Sequence, residues 1–490
     1  MLDELTRRQL LAMTGAGAAA GLAGCTGGGG GNGSGNGSGG NGSGGNGSGS
    51  GGGGGQDPAS LPPAHVFTDY NNEDWQKQWE QTIQPQFSEA TGIDLEMEYA
   101  GFSGQNESRL ATLIQAGDPP ALQTSTFEQV GDVWAADGLE EVSGTISSVE
   151  STAGELVAQP YHDGDKYWEL PHGYYTGTFI YRQDVYDQLG LEVPTSFQDL
   201  LDNAKAIDES DMDIRGYGLA GKKVGKSQDE YQTFLANMGV QELRWKDPND
   251  KEQGVELWFP KDEMIRLLEF QKELAQYSPD PSGIGWAESL SGWAGGEYAQ
   301  QYHLNMWPGG VAAGASEELA KNTKVAPMPL WEEGGITKDK SLLASPTVDG
   351  WHLFSNAENT PGGRRLLEWM YADSIERTAG LYEAEPTRFL PDYADVLGSN
   401  TFSNFEYFQQ FPSHLEQLKY VQNTIVGDYY NNNPEMDLVT SDVLQYYLRF
   451  FFQGEMVNQV VVADVPPEQA WQQAKQTAQQ RLQEGREQLG

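Results

Sequence analysis

Beyond residue 56 the apolar positions alternate between a two-residue period and a three-to-four-residue period, the mark of strands interleaved with helices. Val66-Phe67-Thr68 reads as a short strand, and Asp69-Tyr70-Asn71-Asn72 supplies side chains suited to capping a helix. Trp75, Trp79 and Ile83 then recur every fourth residue until Pro85 disturbs the pattern. Ile93, Leu95, Met97 and Tyr99 alternate as one face of a strand. Leu110, Leu113 and Ile114 mark a helix closed by Gly117, ahead of Pro119-Pro120. Ala121-Leu122-Gln123 reads as the next strand, with Trp134 in a short helix beyond it. A second apolar stretch runs from Tyr167 through Tyr174-Tyr175 to Thr178-Phe179-Ile180-Tyr181. Thr195 is a predicted N-cap whose capping box Gln198 completes. Near the end, Pro466-Pro467 opens a helix with Ala470, Trp471, Ala474, Ala478 and Leu482 on one face. The alternation argues for an α/β fold. It shows neither the fixed period of a solenoid or propeller nor the patterning of a β-sandwich adhesin.

The first 56 residues break this pattern. Residues 6–25, TRRQLLAMTGAGAAAGLAGC, set Arg7-Arg8 before an Ala/Gly-rich apolar run, the layout of an export signal with paired arginines. Leu22-Ala23-Gly24-Cys25 resembles a lipobox, in which small residues give a peptidase access and leave Cys25 to carry lipid. The run is too short to span a bilayer. Residues 26–55 are almost entirely Gly, Asn and Ser, which bury little and form a tether with a reach of about 30 Å. Asn32, Asn36, Asn41 and Asn46 each open an Asn-Gly-Ser sequon; glycan sites and plain linker composition both account for them.

Composition narrows the class. Lys plus Arg number 30 against 71 Asp plus Glu, a formal charge of −41 that repels nucleic acid and acidic membranes. Thirteen Trp and an aromatic content of 11% set the chain apart from disordered acidic proteins. An acidic skin over an aromatic core resembles the proteins of salt-loving archaea. Molar salt shortens the screening length to about 3 Å and so relieves self-repulsion. Cys25 is the only cysteine, so no intrachain disulfide or thiolate cluster forms. The six His show no metal-ligand spacing, and no metal or cofactor is expected.

Several segments, in order, resemble the family 1 extracellular solute-binding proteins of ABC importers, the group that includes maltose-binding protein. They are WEQTIQPQFSEATG from Trp79, LATLIQAGDPP from Leu110 and GDKYWELP from Gly164. FIYRQDVYDQLGLEVPTSFQDL from Phe179 carries the family's "Y…D…GL…P.T" pattern. WAGGEYAQQYHLNMW from Trp293, VAPMPL from Val325, VDGWHLF from Val348 and the helix at 466–482 follow. The resemblance implies a two-lobed periplasmic-binding-protein type II fold with hinge crossovers near Tyr174, Pro346 and Gly380 and an interlobe ligand cleft. Residues 1–24 would be the signal peptide and 25–56 the lipidated cysteine and tether. Lobe one would comprise 57–174 with 345–378, and lobe two 175–344 with 379–490. It also implies a monomer, lipid-anchored through Cys25 on the extracellular face of the membrane. Such a protein captures a carbohydrate for ABC permease subunits and catalyses nothing.

Carried over by motif position, Asp69, Asn71 and Asn72 after the first strand are ligand contacts or helix caps. Thr126 and Glu128 follow the third strand as hydroxyl partners. Tyr174 and Tyr175 sit at the first crossover, and Trp307 is a stacking platform or a core residue. Trp351 likewise stands between cleft and core. Tyr382, Glu385 and Arg388 offer stacking, an acceptor and a forked donor, with Arg388 alternatively in a surface ion pair. These residue types suit a sugar, whose C–H faces stack on aromatics and whose hydroxyls bond to carboxylates, amides and arginine. EAEPTR at 383–388 replaces the family's usual Gly-x-x-Pro turn, and residues 221–258 match nothing clearly and are expected to reshape one side of the cleft. Another polar solute, such as a polyol phosphate or oligopeptide, is the alternative ligand. A secreted carbohydrate-active hydrolase is the rival class, although no nucleophile elbow, His-Glu-x-x-His helix or P-loop is present.

Overall fold

The computed structural model describes residues 57–70, 72–100, 105–247, 250, 253–331, 347–426 and 451–489. Cys25, the signal, the tether and Asn71 therefore lie outside the described residues. Nine strands form two sheets: β1 Ala64–Thr68, β2 Leu95–Tyr99, β3 Leu122–Ser125, β4 Leu170–Tyr175, β5 Gly177–Arg182, β6 Gln300–Leu304, β7 Thr323–Ala326, β8 Thr347–Leu353 and β9 Leu390–Pro391. The first sheet has the order β9-β4-β8-β3-β1-β2, with β1 parallel to β2 and β3, and β8 antiparallel to β3 and β4. The second is an antiparallel β6-β5-β7 sheet. Short ribbons pair His162–Asp163 with Lys166–Tyr167 and Leu243–Trp245 with Val255–Leu257.

Helices pack on both sheets, and β1 to β3 are linked by helical crossovers, as parallel strands require. Trp75, Trp79, Ile83 and Phe87 pack against the first sheet. Pro85 does not end that helix. A π-turn over Trp79–Ile83 precedes it, and the helix resumes at Gln84–Thr91, where proline sits in the first turn and loses no needed N–H. Leu200, Phe234, Leu267, Leu268 and Trp471 lie in a second core around the second sheet. The capping box falls one residue later than the sequence suggests. Ser196 is the N-cap, and Asp199 returns the bond to its backbone N–H. Both hydroxyl residues can cap; the carboxylate of Asp199 selects the register.

Consecutive strands β4 and β5 belong to different sheets, so the chain crosses at Thr176. It returns between β7 in the second sheet and β8 in the first. The third passage differs from expectation: β9 pairs with β4, and residues 153–158 hydrogen-bond to 392–395, so the chain stays on the first sheet well past Gly380. It contacts the second unit again through helix Pro412–Tyr420, where Gln417 accepts from Val325 N and His414 lies against Ala320. Residues 221–258 form a helix over Gly225–Asn237 and the second ribbon. Lys226 is fully buried there, donating to Tyr302 O and paired with Glu230.

Candidate functional site

Arg388 lies at the meeting of the two sheets, just before β9, and is 3% exposed. A guanidinium keeps its charge at any ordinary pH, so burial obliges it to find partners on every side. Nη1 donates to Glu385 Oε2 at 2.9 Å and Nε to the Tyr175 hydroxyl at 3.1 Å. Its Cζ lies 4.5 Å from the ring centroid of Trp307, 4.7 Å from that of Phe389 and 5.1 Å from that of Tyr70. Burial opposes its charge, but Tyr175, Glu385, Asp69 and Asp349 together hold its pKa well above the usual arginine value. The surface-ion-pair alternative is thereby replaced: the pair with Glu385 exists, but it is buried.

The carboxylates are held by a second layer of bonds. Glu385 Oε2 also accepts from Trp75 Nε1 at 2.6 Å, which ties the 381–388 loop to the first helix. The Tyr70 hydroxyl donates to Asp349 Oδ1. Thr124 at the end of β3 donates to Asp69 Oδ1 at 3.0 Å and bonds to the Thr68 hydroxyl at 2.8 Å. Asp349 occupies its place through a bulge, since the β8–β4 register shifts between Asp349 and Gly350. Gly350 is required there: a Cβ would meet Leu170 O at 2.5 Å. Burial, then the charge of Asp349, pushes the Asp69 carboxyl from 3.8 to about 7, against the opposing pull of Arg388. Burial raises Tyr70 and Tyr175 well above their usual range, and burial beside Arg388 drops His172 to about 3, so that imidazole is neutral.

Of the sequence candidates, the structure brings together Asp69, Tyr175, Trp307, Glu385 and Arg388. Asn72 is a helix cap, its Oδ1 accepting from Trp75 N at 2.9 Å. Thr126 is half-buried at the turn after β3, its hydroxyl without a hydrogen bond among the described residues. Glu128 follows in the same turn, and its side chain lies outside the described residues. Tyr174 is wholly buried in the first core. Trp351 is a core residue, donating to the Tyr371 hydroxyl at 2.7 Å and packed on Trp79. Tyr382 also belongs to the core, stacked 4.6 Å from His172 and donating to its carbonyl. Neither reaches the guanidinium, because each spends its polar atom on a neighbour inside the first unit.

Sequence reasoning missed Tyr70, Trp75, Thr124 and Asp349. Tyr70 and Trp75 were accounted for by capping and helix periodicity. An Asp-Gly pair inside the apolar run 347–353 was a usable bulge signal for Asp349. The grouping offers aromatic faces, fixed carboxylate acceptors and one forked donor, which suits recognition of a hydroxyl-rich solute. Among the described residues there is no cluster of His, Cys, Asp and Glu able to hold a metal ion.

A family model described as bacterial extracellular solute-binding protein matches residues 71–376. Among solved structures, the chain is similar to an ABC transporter solute-binding protein from Thermotoga lettingae bound with alpha-D-tagatose. That match has a TM-score of 0.65 and 19% identity, covering 86% of this chain and 100% of the other. A solute-binding protein from Agrobacterium radiobacter in complex with ribitol matches at 0.66 and 15%, covering 86% and 98%. Maltose-bound MalE3 of T. maritima matches at 0.64 and 15%, covering 85% and 98%. No curated protein matches the chain.

The Asp69 shift yields a signed prediction. Between 3.8 and about 7 the folded protein holds a proton that the unfolded chain has released, so this group's contribution to stability falls as pH rises through that window. Asp69→Asn removes the titration. In differential scanning calorimetry it should raise the thermal midpoint more at pH 8 than at pH 5. Equal shifts at both pH values would show that Asp69 is not the group responsible.

Proposed function

The chain belongs to the bacterial extracellular solute-binding proteins, and on that premise we propose that it captures a carbohydrate or polyol between its two lobes. The observation that carries this reading is the buried Arg388 cluster, where residues of both units converge on one charged group. Lobe one is proposed as the unit around the six-stranded sheet, including residues 379–397, and lobe two as the unit around the three-stranded sheet with the C-terminal helices. Trp307 and Tyr70 would cover the apolar faces of the solute, with Asp69, Glu385 and Arg388 taking its hydroxyls. Asn71, Thr126 and Glu128 follow β1 and β3 in the chain and are proposed to extend the acceptor set. Neighbours that bind tagatose, ribitol and maltose support this class of ligand over a polyol phosphate or oligopeptide.

Nothing in the reading requires a bond to be broken. A solute that binds the closed arrangement better than the open one shifts the population towards closure, and release to ABC permease subunits reverses it. The protein is proposed to act as a monomer held by lipid on Cys25 at the extracellular face of the membrane, exported by its paired-arginine signal. Among the described residues no helix is long and apolar enough to cross a membrane. The acidic surface is proposed to be an adaptation to molar salt.

A thermal-shift screen of mono- and oligosaccharides and polyols in molar KCl tests the ligand. The expected result is stabilisation by one chemical group of solutes, growing with concentration and reaching about 2.7 kcal/mol at a hundred times Kd. Trp307→Ala should weaken that ligand roughly tenfold, which is about 1.4 kcal/mol and within the range for a stacked ring. Conversion of the sugar by the purified protein would favour a hydrolase instead. For the anchor, wild type should partition into detergent and Cys25→Ser into the aqueous phase; identical partitioning would remove the lipid.

A further inference from the structure

Asn305 lies between β6 and the helix Trp307–Ala315, two residues before the proposed platform, and it is completely buried. Its φ of 47° is left-handed, a conformation that asparagine accepts more readily than other residues with a Cβ. Both side-chain donor positions are used: Nδ2 donates to Tyr174 O at 3.0 Å and to Arg388 O at 2.8 Å. Oδ1 accepts from Thr176 N at 3.0 Å, while the Asn305 N–H returns a 3.0 Å bond to Thr176 O. The Thr178 hydroxyl donates to Asn305 O at 2.7 Å. One amide therefore joins the crossing between the sheets, the segment carrying Arg388 and the turn that launches Trp307.

We propose that Asn305 is the positioning residue of the cleft: it sets Trp307, on one lobe, against Arg388, on the other, and through them fixes affinity for the solute. This rests on the reading of the Arg388 cluster as the solute site. The amide is suited to the task because two backbone segments present two acceptors and one donor, and only Asn or Gln supplies two donors and an acceptor from one neutral group. Glutamine adds a methylene to a fully buried site and does not favour the left-handed φ. The Trp307–Arg388 contact spans the two units at 4.5 Å, so a small change in either segment would be felt directly in the pair.

The test is a double-mutant cycle in molar KCl, using the sugar or polyol that gives the largest thermal shift. Asn305→Gly keeps the backbone conformation and removes all three side-chain bonds. It should weaken binding at least tenfold in calorimetry. In a Trp307→Ala background the same change should cost less than threefold, because the pair it aligns is already broken. Equal losses in both backgrounds would mean a general structural role and overturn the proposal. Asn305→Asp is the second variant: it keeps the acceptor for Thr176 N but sets a carboxylate against two carbonyls, and its affinity should fall as far as that of the glycine variant. Retained affinity with Asp would also overturn it. If wild type binds none of the solutes, the carbohydrate reading fails. The positioning claim is then decided by hydrogen exchange on the ligand-free protein. Asn305→Gly should speed exchange both around Thr176 and over residues 381–389. Faster exchange at Thr176 alone contradicts the claim.

Discussion

A guanidinium cannot discharge itself, and one that is buried must be met by acceptors and aromatic faces wherever water has been removed. In this protein that requirement falls on Arg388, and its partners come from four separate places in the chain. Tyr70 stands at the end of β1, Tyr175 at the crossing between sheets, Trp307 at the start of a helix on the second unit, and Glu385 in its own loop. Glu385 is held in turn by Trp75. The loop at 383–388 thus supplies both the charge and its first counter-charge. Removing either member alone would leave a buried charge exposed to desolvation cost, the expensive way to break such a pair.

The same constraint explains the surrounding chemistry. Three carboxylates face one guanidinium, so Asp69 is driven towards the neutral form by burial and by Asp349. A neutral or half-protonated acid can donate as well as accept, a useful property opposite sugar hydroxyls, which do both. Aromatic rings around Arg388 exclude water and strengthen each polar contact. In the proposed two-lobed binder such a site would link occupancy to closure: a solute grasped by residues of both units would move the equilibrium by its differential affinity.

Much of the fold was legible in the chain, because strand and helix periods alternate and the family's segments occur in order. The crossing at Thr176 falls between two strands separated by one residue, too short for a hairpin within one sheet. Five residues of the Arg388 grouping were legible because they lie at or shortly after strand ends or in the 383–388 loop. Trp351 and Tyr382 were not separable from them by pattern. A β-bulge at Asp349-Gly350 breaks the two-residue alternation on which any inference about facing depends, so the pattern marks Trp351 as a candidate and hides Asp349. The misplaced third passage has a similar origin. A glycine at 380 signals a turn, but a turn does not reveal whether the chain then leaves a sheet or adds another strand to its edge, as β9 does. Thr124 was hidden because an interior strand threonine looks like any other.

We propose that two units close on a solute around a shared buried arginine. Small-angle X-ray scattering on the protein in molar KCl, with and without a saturating stabilising sugar, addresses it most directly. The account predicts a smaller radius of gyration and a shorter maximum dimension with the sugar, returning to the starting values on dialysis. Identical scattering profiles in the presence of demonstrated binding would contradict it, because the solute would then occupy a site that closure does not complete.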